Sequence, residues 1–132
     1  MSISKVKLID IPDFNDYRGG MAIVENKLLP FDIQRVFYIY NVPKHCMRGG
    51  HAHIEHLTLL IALNGSFTID LIDTEQEKLT IKLERPNKGL FVPNMVWHEV
   101  RDFSYAAICL VLASDVHKEE DYIRDFGTFL KA

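Results

Sequence analysis

The hexapeptide RGGHAH, residues 48–53, sets two histidines two positions apart at the head of an apolar, β-branched run, HLTLLIALNG. Side chains alternate along an extended strand, so His51 and His53 point the same way. Imidazole titrates near neutral pH, and two rings on one face can bind a metal, move a proton, or serve as structural polar groups. Burying both costs free energy unless each finds a hydrogen-bond partner, which argues for a function. His45, His56 and His117 have no such constellation and are expected on the surface. Cys46 and Cys109 are the only thiols. They lie far apart with no C-x-x-C spacing and read as free, small hydrophobes rather than as a disulfide.

The elements that must carry these side chains are short and strand-like: KVKLIDI, GMAIVEN, IQRVFYIYNV, HLTLLIALNG, SFTIDLID, KLTIKLE, GLFVPNMVWHEV and YAAICLVLASD. Each is rich in residues that favour a pleated surface. Turn signals separate them, among them DYRGG at 16–20, the breaks at Pro30 and Pro43, and RPNKG at 85–89. Asn64-Gly65 predicts a two-residue hairpin turn, since both residues tolerate positive φ. The tail differs. After Ser114 and Asp115 come first-turn acids, then apolar Tyr122, Ile123, Phe126, Phe129 and Leu130, which predicts a short helix over about 117–131. Eight or more strands and a terminal helix make the chain all-β, an antiparallel sandwich or jelly roll, as one domain over residues 1–132. LTLLIAL and AAICLVL are apolar on both faces, so one face should line the barrel and the other should meet a neighbouring surface. The edge strands of an open barrel invite a partner, and a homodimer is expected.

The chain has 132 residues and a formal charge of −3. That charge gives no reason to expect a nucleic-acid or membrane-surface partner. No apolar run approaches the roughly 20 residues that span a bilayer, and MSISKVKLIDIPD lacks the apolar centre of a signal peptide. A cytoplasmic protein is expected.

Set against known families, the chain resembles the cupin superfamily. His51 and His53 match the His-x-His of its first motif, and Gly65 matches that motif's glycine. Leu57 or Thr58 stands where the motif has a glutamate. GLFVPNMVWH matches the second motif through Gly89, Pro93 and His98, with Met95 in place of a glycine. Three of four metal ligands are thus present, and the carboxylate is missing. Three neutral imidazoles lack the anionic ligand that hard, oxygen-preferring metals favour. Glu55 is a weak substitute, and a metal-free site is expected.

The likeness narrows with RGGHAH, LNGS, GLFVPNMVWHEVRDFS, VLASD, DYIRDF and ENKLLPFDIQRVFYIYNV. Over roughly residues 6–131 these are similar to the sugar 3,4-ketoisomerases that act on thymidine-diphosphate-linked 4-keto-6-deoxyglucose. The resemblance implies a cupin-type jelly roll, a dimer, no cofactor, and His51 and His53 as the acid–base pair. The chemistry suits imidazole: a proton leaves C3, an enediol forms, and a proton returns at C4. The diphosphate of such a substrate calls for forked cationic donors, and Arg48 and Arg35 are candidates. Tyr17, Arg18 and His98 are substrate-side candidates by resemblance. Trp97 should face away from His98 and pack. Phe37 stands where several relatives have tyrosine and cannot donate a proton. The competing readings are a nucleotide-sugar 3,5-epimerase, a metal-dependent cupin using His51, His53 and His98, and a non-catalytic sugar-binding domain.

Overall fold

The β-branched and aromatic runs fold as strands, and the computed structural model, which describes residues 2–132, places most of them in two antiparallel five-stranded sheets. In chain order the strands are β1 (Lys7–Asp10), β2 (Asp13–Asp16), β3 (Gly19–Ala22), β4 (Arg35–Tyr40), β5 (Arg48–His53), β6 (Thr58–Asn64), β7 (Phe67–Asp73) and β8 (Lys78–Leu83). They continue with β9 (Lys88–Val92), β10 (Val96–Arg101), β11 (Ile108–Ala113) and β12 (Tyr122–Ile123), and one helix follows, α1 (Phe126–Leu130). The first sheet runs β1-β9-β6-β11-β4 and the second β12-β5-β10-β7-β8, while β2 and β3 pair only with each other. Two antiparallel sheets with sequence-distant neighbours and a short terminal helix are the cupin-type jelly roll.

The inner faces interdigitate through Leu60, Ile69, Leu71, Leu90, Val100 and Val111. On the outer face of the first sheet Leu59, Ile61, Phe91 and Leu112 meet Ile11 and Leu29. The two-sided apolarity of LTLLIAL is thus largely covered by this chain's own N-terminal third. Trp97 faces away from His98 and packs with Ala52 and Phe129 on the outside of the second sheet.

Two local expectations change. Asn64-Gly65 does not close a hairpin, because β6 and β7 belong to different sheets. The pair turns a corner between layers, where Asn64 Nδ2 donates to the Ala106 carbonyl at 2.8 Å. Gly65 has φ +67°, and a Cβ there would strike Ser104 and Ala107. In the tail, the helix expected over 117–131 is only α1, preceded by a 3₁₀ turn at Glu119–Asp121 and by β12. The exposed edge of β5 captures this segment: Tyr122 pairs with His53 and Ile123 with Ala52. Those ladder bonds hold the backbone extended where helical periodicity alone would have coiled it. Asp125 then caps α1 by accepting from the Thr128 N–H at 2.8 Å.

Candidate active site

The core does not fill the barrel to its end. A cavity of about 790 Å³ opens between the sheets, with Leu60 and Val111 on one wall and His51, His53, His98 and Tyr122 on the other. Strands β5 and β10 set the imidazoles. His51 and His98 are register partners, and the ladder shifts immediately after His98. Their rings meet at 4.7 Å between centroids, and the His51 and His53 rings at 5.0 Å. Gly49 permits this approach: its φ is +90°, and a Cβ would sit 3.0 Å from the His98 carbonyl oxygen. Met95, where the cupin motif has glycine, adopts φ +59° and donates its N–H to the His53 carbonyl at 2.7 Å.

Burial keeps these rings uncharged. Desolvation, with the neighbouring His98 and His53 adding to it, pushes His51 down to about 2. Desolvation pushes His98 down to about 4. His53 also falls to about 4 by desolvation, although a hydrogen bond to Asp121 pulls the other way. That bond joins His53 Nδ1 to Asp121 Oδ2 at 3.0 Å. The buried carboxylate further accepts the backbone N–H groups of Glu55 at 2.9 Å and His56 at 3.2 Å. Tyr122 covers the pair, its ring 4.5 Å from that of His53 and 4.8 Å from that of His51.

Of the other expected residues, Arg48 lines the cavity with His98. Arg35 lies outside that lining, its guanidinium over the Phe37 ring at 5.2 Å, with buried Nε and Nη2 atoms that lack a partner. Tyr17 and Arg18 sit at the tip of the β2–β3 hairpin. Tyr17 is 97% exposed and Arg18 is ion-paired with Asp16, and neither lines the cavity of this chain.

Sequence reasoning missed Asp121, Tyr122 and Arg124, which enter from the tail. Arg124 lines the cavity, stacks on Tyr122 at 4.2 Å and pairs with Glu119 at 2.6 Å. In DYIRDF the acids fit the first turn of a helix, and no local spacing signals a contact with His53. His56, expected at the surface, is 4% exposed and lies behind His53, the two rings stacked at 5.4 Å.

A metal needs converging ligand atoms. Among the described residues the set that converges is His53, His56 and Asp121, not His51, His53 and His98. His51 and His98, two of the three cupin-motif histidines, stand outside that set. The donor set does not fit a cupin metal centre.

Fold and site together define a cupin-type jelly roll whose cavity is built for imidazole chemistry. A family model described as WxcM-like, C-terminal (FdtA) matches residues 4–132, and the chain belongs to that family. It is 42% identical over 126 residues to the TDP-4-oxo-6-deoxy-alpha-D-glucose-3,4-oxoisomerase of Aneurinibacillus thermoaerophilus, covering 95% of this chain and 90% of that one. A 3,4-ketoisomerase from Helicobacter canadensis is 43% identical with a TM-score of 0.91, covering 96% of each chain. A histidine-to-asparagine variant of the 3,4-ketoisomerase QdtA from Thermoanaerobacterium thermosaccharolyticum, in complex with TDP-4-keto-6-deoxyglucose, is 39% identical with a TM-score of 0.92. That match covers 96% of this chain and 91% of that one.

Proposed function

We propose that this chain is a nucleotide-sugar isomerase that converts dTDP-4-keto-6-deoxyglucose to its 3-keto isomer by imidazole acid–base catalysis, with no metal or other cofactor. The step serves deoxyaminosugar synthesis for surface glycans. The observation that carries the reading is the convergence of His51, His53 and His98 on one cavity, in a chain so similar to such isomerases. An imidazole nitrogen of His51 takes the C3 proton, the C3–H electrons form the C3=C4 bond, and the C4 carbonyl oxygen gains charge. His53 moves the O3 proton to O4. Return of a proton to C4 then leaves the carbonyl at C3.

Desolvation disfavours the charged forms of the rings and makes them weak bases. The substrate's diphosphate brings negative charge, which favours imidazolium and raises basicity only when substrate is bound. We assign the diphosphate to Arg48 and Arg35: Arg48 lines the cavity, and Arg35, outside that lining, has guanidinium donors without a partner. His98 supports the sugar beside His51.

The protein acts as a homodimer of single-domain, cytoplasmic subunits. The β2–β3 hairpin is exposed along its whole length, and Val36, Tyr38 and Tyr40 present an uncovered apolar face on edge strand β4. An isolated two-stranded hairpin is at best marginally stable in water, so a second copy is the expected support. Tyr17 and Arg18 would then meet the sugar across that contact. Among the described residues no helix is long and apolar enough to cross a membrane.

Purified protein incubated with dTDP-4-keto-6-deoxyglucose in the presence of EDTA, followed by NMR, is expected to yield the 3-keto isomer. No conversion would overturn the assignment. Conversion abolished by EDTA and restored by a divalent metal would overturn the metal-free mechanism.

A further inference from the structure

The tail segment delivers a carboxylate to the back of His53, and nothing in the acid–base scheme so far uses it. We propose that Asp121 is a positioning residue for His53: its carboxylate holds the ring in the Nδ1–H tautomer, so that Nε2 meets the substrate as the proton acceptor. This rests on the isomerase reading for what His53 does, but the tautomer itself does not.

The geometry is specific. Asp121 Oδ2 lies 3.0 Å from His53 Nδ1. Its Oδ1 is engaged by the Glu55 N–H at 2.9 Å, and Oδ2 by the His56 N–H at 3.2 Å. The carboxylate is therefore anchored by the loop between β5 and β6. The Asp121 backbone is anchored as well, its carbonyl accepting the Ile54 N–H at 2.9 Å. The residues that follow are tied to β5 as well, Tyr122 pairing with His53 and Ile123 with Ala52. Both partners are buried, with His53 5% and Asp121 8% exposed. The opposite tautomer would aim a lone pair at a buried carboxylate, so the alternative is disfavoured. The His56 ring stands behind the same oxygen, its Nδ1 at 3.3 Å but without a hydrogen bond, and excludes solvent from that side.

Asp121→Asn keeps the shape but inverts one atom's role. With its Oδ1 still accepting from the Glu55 N–H, the amide gives up the longer His56 N–H contact, donates toward His53 Nδ1 and selects the Nε2–H form. The experiment is ¹⁵N NMR of histidine-labelled full-length protein at pH 7, with His53 assigned by loss of its signals in His53→Gln, together with kcat, KM and TDP affinity. In the wild type, His53 Nε2 is expected in the unprotonated range and Nδ1 in the protonated range, with the two exchanged in Asp121→Asn. kcat should fall by about 10- to 100-fold, the scale at which partners orienting a functional histidine act, with TDP affinity within about threefold. An unchanged tautomer, or an exchanged tautomer with kcat within twofold, would overturn the role. Should Asp121→Asn fail to fold, the wild-type spectrum alone decides, since an Nε2–H ring there refutes the proposal. A wild type that shows the expected tautomer but converts no sugar refutes the isomerase reading and leaves the tautomer assignment standing.

Discussion

Three imidazoles crowded around one cavity would repel one another if charged, and burial settles the matter by keeping them neutral. His53 and His98 lie at about 4 and His51 at about 2, against 6.5 in an unfolded chain. As pH falls from 6.5 toward 4, the unfolded chain binds protons that the folded chain refuses, so stability must fall through that window. Carboxylates held low by partners, such as Asp70 beside Arg101, add to the loss in the same direction at the acid end of that range. Thermal unfolding between pH 7.5 and 4.5 should therefore show a Tm that declines steadily below about 6.5. A Tm that is flat or rising on acidification would mean the rings are protonated in the native state. His51 and His53 were legible from a six-residue string because strand alternation fixes their common side. Asp121 and His56 were not, because their contacts join residues 65 to 68 positions apart, and Tyr122 was not, because it rests on a ladder no local pattern announces.

At the scale of elements, the site depends on two unusual pieces of backbone. Gly49 sits in the left-handed region against the His98 carbonyl, so Gly49→Ala must strain φ and push β5 from β10. A cost of about 1–3 kcal/mol is expected, with loss of activity, by denaturant unfolding and assay. Stability and activity both unchanged would show that the close approach is dispensable. The tail is held through Phe129, fully buried against Trp97 and Ala52. Phe129→Ala should cost about 3–5 kcal/mol and should also lower activity by loosening the segment that carries Asp121 and Tyr122. A folded variant with full activity would separate the tail from the site. The strands themselves were readable from β-branched content, and GLFVPNMVWHEV divides at Pro93 because proline cannot donate to a ladder. The tail helix was over-extended for the opposite reason: periodicity sees an amphipathic stripe but not the vacant edge of β5. Asn64-Gly65 was correctly a turn and wrongly a hairpin, since turn chemistry does not say which sheet the next strand joins.

For the molecule as a whole, the exposed hairpin and the Val36, Tyr38 and Tyr40 face are its unfinished surfaces. A homodimer that covers them should be seen by light scattering, and Val36→Asp, on that face but outside the cavity lining, should shift it toward monomer and weaken sugar turnover. A monomeric wild type with full activity would remove Tyr17 and Arg18 from the site. All of these features serve one event, the passage of hydrogen between two neighbouring sugar carbons by uncharged imidazoles. The sharpest measurement uses dTDP-4-keto-6-deoxyglucose deuterated at C3, with the label followed by NMR in wild type and His51→Asn. The wild type should lose deuterium from C3 as the 3-keto isomer forms. His51→Asn should retain it, with turnover down by about 10²–10⁴-fold and TDP binding intact. Release of the C3 label at the wild-type rate by His51→Asn would contradict imidazole catalysis at this position.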